Sequence, residues 1–141
     1  MDAEQRDIHD PNYDPQTLYI DPDILKHDTP LFQQYFIAKK DQYDKILFFR
    51  YGRMYMLLYH DAFVMQQHCN CQVRLWGKRP HVSIQDNELP LYKSQLLRKG
   101  FKIAICDQIE SLSFPDKDLM HREIVQIISA GTAIEGEADA N

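Results

Sequence analysis

Apolar residues along this chain fall into short, well-separated runs. Ile46-Leu47-Phe48-Phe49 is continuously apolar and β-prone, which predicts a strand buried on both faces. Gly52 supplies a turn before a second run, Tyr55 to Tyr59, so the pair reads as a β-hairpin. Upstream, Thr29 is a good N-cap and Pro30 suits the first helical position, where a missing N–H does no harm. Leu31, Phe32, Tyr35 and Phe36 then follow one stripe of a 3.6-residue period, predicting a helix that covers a sheet.

Downstream, Asp61 is placed to cap a helix reaching about Asn70. Gln72 to Leu75 reads as a strand entering the turn residues Gly77, Lys78, Arg79 and Pro80, and His81 to Gln85 reads as another. Leu89, Tyr92, Leu96 and Leu97 have helical spacing that stops at Gly100, a natural C′ residue. Phe101 to Gln108 is a strand, and a polar loop with Pro115 and Asp116 leads to a last strand, Glu123 to Ser129. This order predicts an α/β fold: one mixed sheet of about five to six strands flanked by helices. No internal repeat is visible.

Residues 1–28, rich in Asp, Pro, Asn and Tyr, show no sustained period and read as an extended arm. Tyr13, Leu18, Tyr19, Ile20, Ile24 and Leu25 give that arm apolar anchors along a surface. Residues 29–132 form the domain, and the small, acidic stretch 133–141 reads as a disordered tail.

At 141 residues, 44% hydrophobic and 26% charged, the chain suits one core and one binding or catalytic function. No stretch has the apolar length to cross a bilayer, and the polar, acidic start lacks the features of a secretory or transit signal. A cytosolic or nuclear address is expected, with Cys69, Cys71 and Cys106 as reduced thiols. A net charge of −5 disfavours autonomous tight DNA binding while leaving room for a local basic patch.

Arg50, Arg53, Arg74, Lys78 and Arg79 surround the hairpin and the next turn, as phosphate contacts or as a solvated rim. Trp76 is placed to stack on a base, anchor a protein partner or cap the sheet edge; Tyr13 and Tyr19 are further partner-surface candidates. Met54, Met56 and Met65 are either an adaptable docking surface or core. His68, Cys69 and Cys71 lack the spacing and the second pair of a structural zinc site. Asp116, Asp118 and His121 form a loop cluster of the sort that serves acid–base or Mg²⁺ chemistry, with no nucleophile beside it. No metal, cofactor or small-molecule substrate is expected.

Several segments, taken in order, resemble the N-terminal mismatch-recognition domain of the MutS family. Thr29-Pro30-Leu31-Phe32-Gln33-Gln34-Tyr35 resembles its opening helix, and Phe49 to Leu57 lies where the family has a Gly-Asp-Phe-Tyr-Glu-Leu hairpin. Tyr59-His60-Asp61-Ala62 is similar to the start of its next helix, Gly100 to Gln108 to a Gly-x-x-Val-Ala-x-x-Glu-Gln strand, and Arg122 to Thr132 to its closing strand. The arm, through Asp10 to Pro15 and Thr17-Leu18-Tyr19, resembles the segment preceding this domain in the eukaryotic mismatch-binding subunit of the MutS alpha heterodimer.

The resemblance implies that positions 54 and 56 are the mismatch probes, a Phe that wedges beside the mispaired base and a Glu that hydrogen-bonds it. Here they are Met54 and Met56, and Arg53 stands where Asp is common. A thioether lacks the flat ring that stacks on a base, and Met56 supplies no carboxylate. No Gly-x-x-x-x-Gly-Lys-Ser/Thr nucleotide loop occurs in the chain. The leading expectation is a non-catalytic, nuclear accessory subunit in a larger complex acting on DNA, whether repair or an adenine methyltransferase complex, with protein contacts and weak or indirect DNA contact. The alternatives are an N-terminal fragment of a divergent mismatch-repair protein and a small nuclease-like enzyme.

Overall fold

A run such as Ile46 to Phe49, with no polar residue, satisfies a strand only if both of its faces are covered. The computed structural model, which describes residues 1–109 and 121–130, covers them both. Strand β1 (Ile46–Tyr51) pairs antiparallel with β2 (Met54–Leu58) on one side and parallel with β5 (Ile103–Ile109) on the other. β4 (Arg79–Gln85) and the short β3 (Arg74–Trp76) extend the sheet beyond β2, and β6 (His121–Ile128) closes it beyond β5. The order is β3-β4-β2-β1-β5-β6, a mixed six-stranded α/β sheet as expected from the sequence.

Helix α2 (Pro30–Lys40) lies on one face, where Phe32 and Tyr35 pack with Leu47, Phe49, Met56, Leu58, Ala104 and Cys106. Helices α3 (His60–Cys69) and α4 (Leu89–Arg98) cover the other, with Ala62, Val64, Met65, Leu96 and Leu97 against Ile46, Phe48, Leu57 and Ile103. Alternate residues of β1 thus enter two separate cores. Met65 belongs to one and Met56 to the other.

Asp61 does not cap α3, contrary to the sequence expectation. The helix begins at His60 and the cap position is Tyr59, two residues before Asp61 and at a φ of +57°. Asp61 is thereby buried, and its Oδ2 accepts from the Lys39 ammonium (2.8 Å) and the Leu47 N–H (3.1 Å). Lys39, itself buried, also donates to the Lys45 carbonyl. One carboxylate therefore ties α2, β1 and α3 together. Burial pushes the Asp61 carboxyl above its ordinary range, and Lys39 opposes that shift.

The arm is not uniformly extended: it contains a five-residue helix, α1 (Pro22–Lys26), too short to show a period in the sequence. Several of its Asp residues serve as local turn-formers that accept from the N–H two residues on, as Asp7 does from His9 (2.8 Å), Asp10 from Asn12 (2.8 Å) and Asp14 from Gln16 (3.0 Å). Asp2 is buried and accepts from the N–H groups of Glu4, Arg6 and Asp14 and from the Arg6 guanidinium. The arm docks through Leu18 N–H to the Lys40 carbonyl and Tyr43 N–H to the Gln16 carbonyl, both 2.8 Å. Tyr13 and Tyr19 are half-buried in it. The stretch assigned to a disordered tail, 133–141, lies outside the described residues, as do Pro115, Asp116 and Asp118.

Two expectations follow from these buried acids. Burial alone would raise the Asp2 carboxyl, but the Arg6 guanidinium and the surrounding N–H groups hold it well below the usual carboxylate range. A depressed folded pKa gives stability that is present above the unfolded value, about 3.9, and is lost as pH falls toward the folded one. Acidification below about pH 4 should therefore loosen residues 1–17 before the sheet, as read by amide exchange of the arm against that of β1. Separately, Lys39→Met should lower unfolding free energy by about 3–5 kcal/mol in urea, because it strands a buried carboxylate. Lys39→Met combined with Asp61→Leu should recover most of that stability.

Candidate nucleic-acid interface

The β1–β2 turn is made by Gly52, at φ +61°, and Arg53, so Tyr51 and Met54 become direct cross-strand neighbours. Strand alternation then places Tyr51 with Leu47 and Phe49 on the α2 face, and Met54 with Met56. Met54 and Met56 differ in depth. Met54 is 38% exposed at the end of the hairpin, whereas Met56 is only 2% exposed, opposite Phe49 under α2. Position 56 is a core position in this chain, and a thioether fits it.

Arg50 acts as a staple for the hairpin. Its guanidinium donates to the Gly52 carbonyl (2.7 Å), the Tyr55 hydroxyl (3.2 Å) and the Asp86 carboxylate (2.9 Å), with Asp107 at 4.0 Å. The Tyr55 hydroxyl donates in turn to Asp107 (3.1 Å), and burial pushes that phenol up. From β6, Arg122 reaches under the turn to the Arg50 carbonyl (2.7 Å) and Gln34 (2.8 Å), its guanidinium 5.2 Å from the Phe49 ring. Burial lowers the Arg122 pKa.

Arg79 is likewise engaged within the fold. It pairs with Asp28 of the arm at 2.6 Å and stacks on the Phe32 ring at 3.7 Å, fixing the start of α2 to the β3–β4 hairpin. Arg53, Arg74 and Lys78 are exposed; Arg74 makes one long contact to Gln72 (3.4 Å), and Lys78 sits in the turn beside Gly77, at φ +61°. The five cations singled out from the sequence thus divide into two with carboxylate partners and three that face outward.

Trp76 is half-buried on the edge strand, its ring 5.2 Å from Phe32, 5.4 Å from Tyr51 and 5.7 Å from His81. Tyr51 itself is 45% exposed. Sequence reasoning passed over it, although the Gly52-Arg53 turn and the period of β1 suffice to place it opposite Met54. The acids that neutralise Arg50 and Arg79, namely Asp86, Asp107 and Asp28, were also missed, being distant in sequence.

Elsewhere, Cys69 and Cys71 are half-buried free thiols whose pKa values burial raises, and Cys106 is pushed up to about 11 by burial. The His68 ring packs on Phe101 at 5.0 Å. Among the described residues no cluster of acids, His and Cys is suited to hold a metal, and no helix is long and apolar enough to cross a membrane. His121, of the acidic loop cluster, bonds Glu123 at 2.7 Å.

Charge is segregated along the chain. Residues 29–109 hold twelve Lys and Arg against six Asp and Glu, whereas residues 1–28 hold eight acids against two bases. The negative total therefore conceals a basic body, which suits phosphate contact.

The family description MutS domain I matches residues 29–137. The DNA mismatch repair protein MSH6 of Arabidopsis thaliana is 32% identical, an alignment that covers 96% of this chain and 11% of that protein. The DNA mismatch repair proteins MutS of Bacillus pumilus and Halothermothrix orenii are 36% and 38% identical, each over 77% of this chain and 13% of theirs. The chain spans 11 to 13% of the length of these relatives. The hairpin, the six-stranded sheet and a single family match over most of its length agree: this chain belongs to the MutS domain I family.

Proposed function

We propose that this chain is a non-catalytic, nuclear accessory unit that brings a MutS domain I to a larger assembly acting on DNA. It works through protein contacts and through sequence-independent contact with the DNA backbone. The observation that carries this reading is the state of the probe hairpin: the backbone turn is kept, while position 54 holds a thioether and position 56 is packed into the core. A hairpin of this kind approaches DNA without a carboxylate to test a base pair. Arg53, Arg74 and Lys78 are the outward cations available for phosphates, and such contacts position a protein without reading sequence. Arg50 and Arg79, paired with carboxylates, brace the hairpins that present those cations. The host assembly is a repair complex or a DNA adenine methyltransferase complex, with Tyr13, Tyr19 and Trp76 on the partner side.

A second reading, the N-terminal part of a longer and divergent mismatch-repair protein, is favoured by one observation. The Arabidopsis alignment covers 96% of the chain and so reaches into the arm, whereas the bacterial ones cover 77%.

Purification of the endogenous protein under mild salt, with mass spectrometry of the intact chain and its companions, separates the two. A mass near 16.7 kDa with a DNA-modifying enzyme alongside is the expected result. A far larger chain paired with another MutS homologue would establish the second reading instead. In a binding assay at fixed salt, matched and G·T-mismatched duplexes of one length should bind this chain within about twofold of each other. Discrimination at one base pair requires an interaction worth about 1–3 kcal/mol, and Met54 and Met56 supply neither a ring nor a carboxylate to make it. A tenfold preference for the mismatch would contradict the proposed role.

A further inference from the structure

The geometry points to an autoinhibitory contact: Asp28 of the acidic arm occupies Arg79 in place of a DNA phosphate. The inference rests on the reading that the chain contacts the DNA backbone, and it adds a control over that contact. Residues 71–85, which hold the β3–β4 hairpin, carry Arg74, Lys78 and Arg79 and no Asp or Glu. The carboxylate that meets this basic hairpin is supplied by the arm, whose residues 1–28 hold eight acids and two bases. Asp28 lies in the link between α1 and α2, and its Oδ1 is 2.6 Å from Arg79 Nη2. The hairpin is thus partly neutralised from within the chain, at the residue that adjoins the outward-facing Lys78.

The details of the contact make it exchangeable. Asp28 engages Arg79 through one oxygen, and the same oxygen accepts the Thr29 N–H at 2.8 Å. Arg79 Nε is buried without a hydrogen-bond partner among the described residues, so one edge of the guanidinium is left unpaired. A phosphate offers several oxygens to a guanidinium and pairs with it through two parallel bonds, which a carboxylate held in this single-oxygen pose does not. Both side chains keep a route to solvent, Arg79 at 26% and Asp28 at 15% exposure, so a phosphate meets the pair at the surface. Release of Asp28 leaves the cation in place, because the guanidinium also lies over the buried Phe32 ring at 3.7 Å. Phosphate and Asp28 therefore compete for one guanidinium that is already positioned. By linkage, DNA that takes Arg79 weakens the hold of the arm to the same extent that the arm weakens the hold of the DNA.

The test uses the 141-residue chain and one matched duplex of fixed length, with Asp28→Asn as the probing variant, since Asn keeps an oxygen for the Thr29 N–H and loses the charge. Freeing one phosphate contact should tighten binding by about 5- to 10-fold at about 0.1 M salt, and steepen the dependence of log K on log salt by about 0.9. Asp28→Ser, which also keeps an acceptor, should reproduce the gain, so the result does not hang on the folding of one variant. Asp21→Asn removes the same charge from an exposed arm residue whose carboxylate accepts from the Asp23 N–H (2.9 Å). It should change affinity by less than about twofold, because salt screens a charge that touches no cation. Combined with Arg79→Gln, Asp28→Asn should give no gain. Equal effects of Asp28→Asn and Asp21→Asn, or a gain that persists alongside Arg79→Gln, would overturn the inference and leave backbone contact standing. A lower melting temperature without tighter binding would likewise overturn it, reducing the pair to a tie between arm and sheet. Binding by neither the parent nor any variant would overturn the inference together with the DNA-contact part of the proposed function.

Discussion

From Ile46 to Phe49 strand β1 has no solvent-facing side, and the rest of the molecule is arranged around that fact. Four consecutive apolar residues must be covered above and below, which demands helices on both faces of the sheet and neighbours along both edges of the strand. Its parallel partner β5 can be reached only by a long crossover, and α3, β3, β4 and α4 lie within that crossover. The Lys39–Asp61 pair sits where α2, the start of β1 and the start of α3 converge, so a polar contact fixes the relative placement of two cores on opposite faces of one sheet. A buried ion pair is a poor source of net stability, but its directional bonds set a unique arrangement where apolar packing alone tolerates sliding.

The same architecture explains the behaviour of the hairpin. Beyond Phe49, β1 leaves the cover of α2, and Arg50 and Arg122 hold its end by hydrogen bonds to the turn and to the β1 backbone. Tyr51, Arg53 and Met54 are then carried outward on a rigid support. Cations in this region have two separate uses: Arg50 and Arg79 hold elements together, while Arg53, Arg74 and Lys78 face solvent. Sequence proximity to the turns does not distinguish these uses, because the deciding carboxylates, Asp28, Asp86 and Asp107, come from other elements.

Much of the fold was legible from local signals. Thr29-Pro30 opens α2, Gly52 turns the hairpin, and Gly100, at φ +87°, follows α4, each through a backbone preference that a single residue carries. What local signals could not convey was direction in space. Asp61 looked like a cap because acids favour helix starts, but whether it points outward depended on a left-handed Tyr59 that no tyrosine advertises. Period-2 alternation left Met56 undecided between surface and core, and the packing of α2 resolved it. The arm was readable in composition and not in structure, since its turns are made by individual Asp side chains with no period to detect.

The burial of Met56 also bears on the history open to this sequence. A carboxylate at that position would now enter a closed apolar layer formed by Phe32, Tyr35, Phe49 and Leu58, so a mutation to Glu meets a folding barrier before any gain in recognition is felt. Accommodating an acid there would require α2 to lift or its facing residues to become smaller first, each step unfavourable on its own. Packing under α2 in this way favours an apolar side chain at position 56 over an acid, whatever use the hairpin is put to.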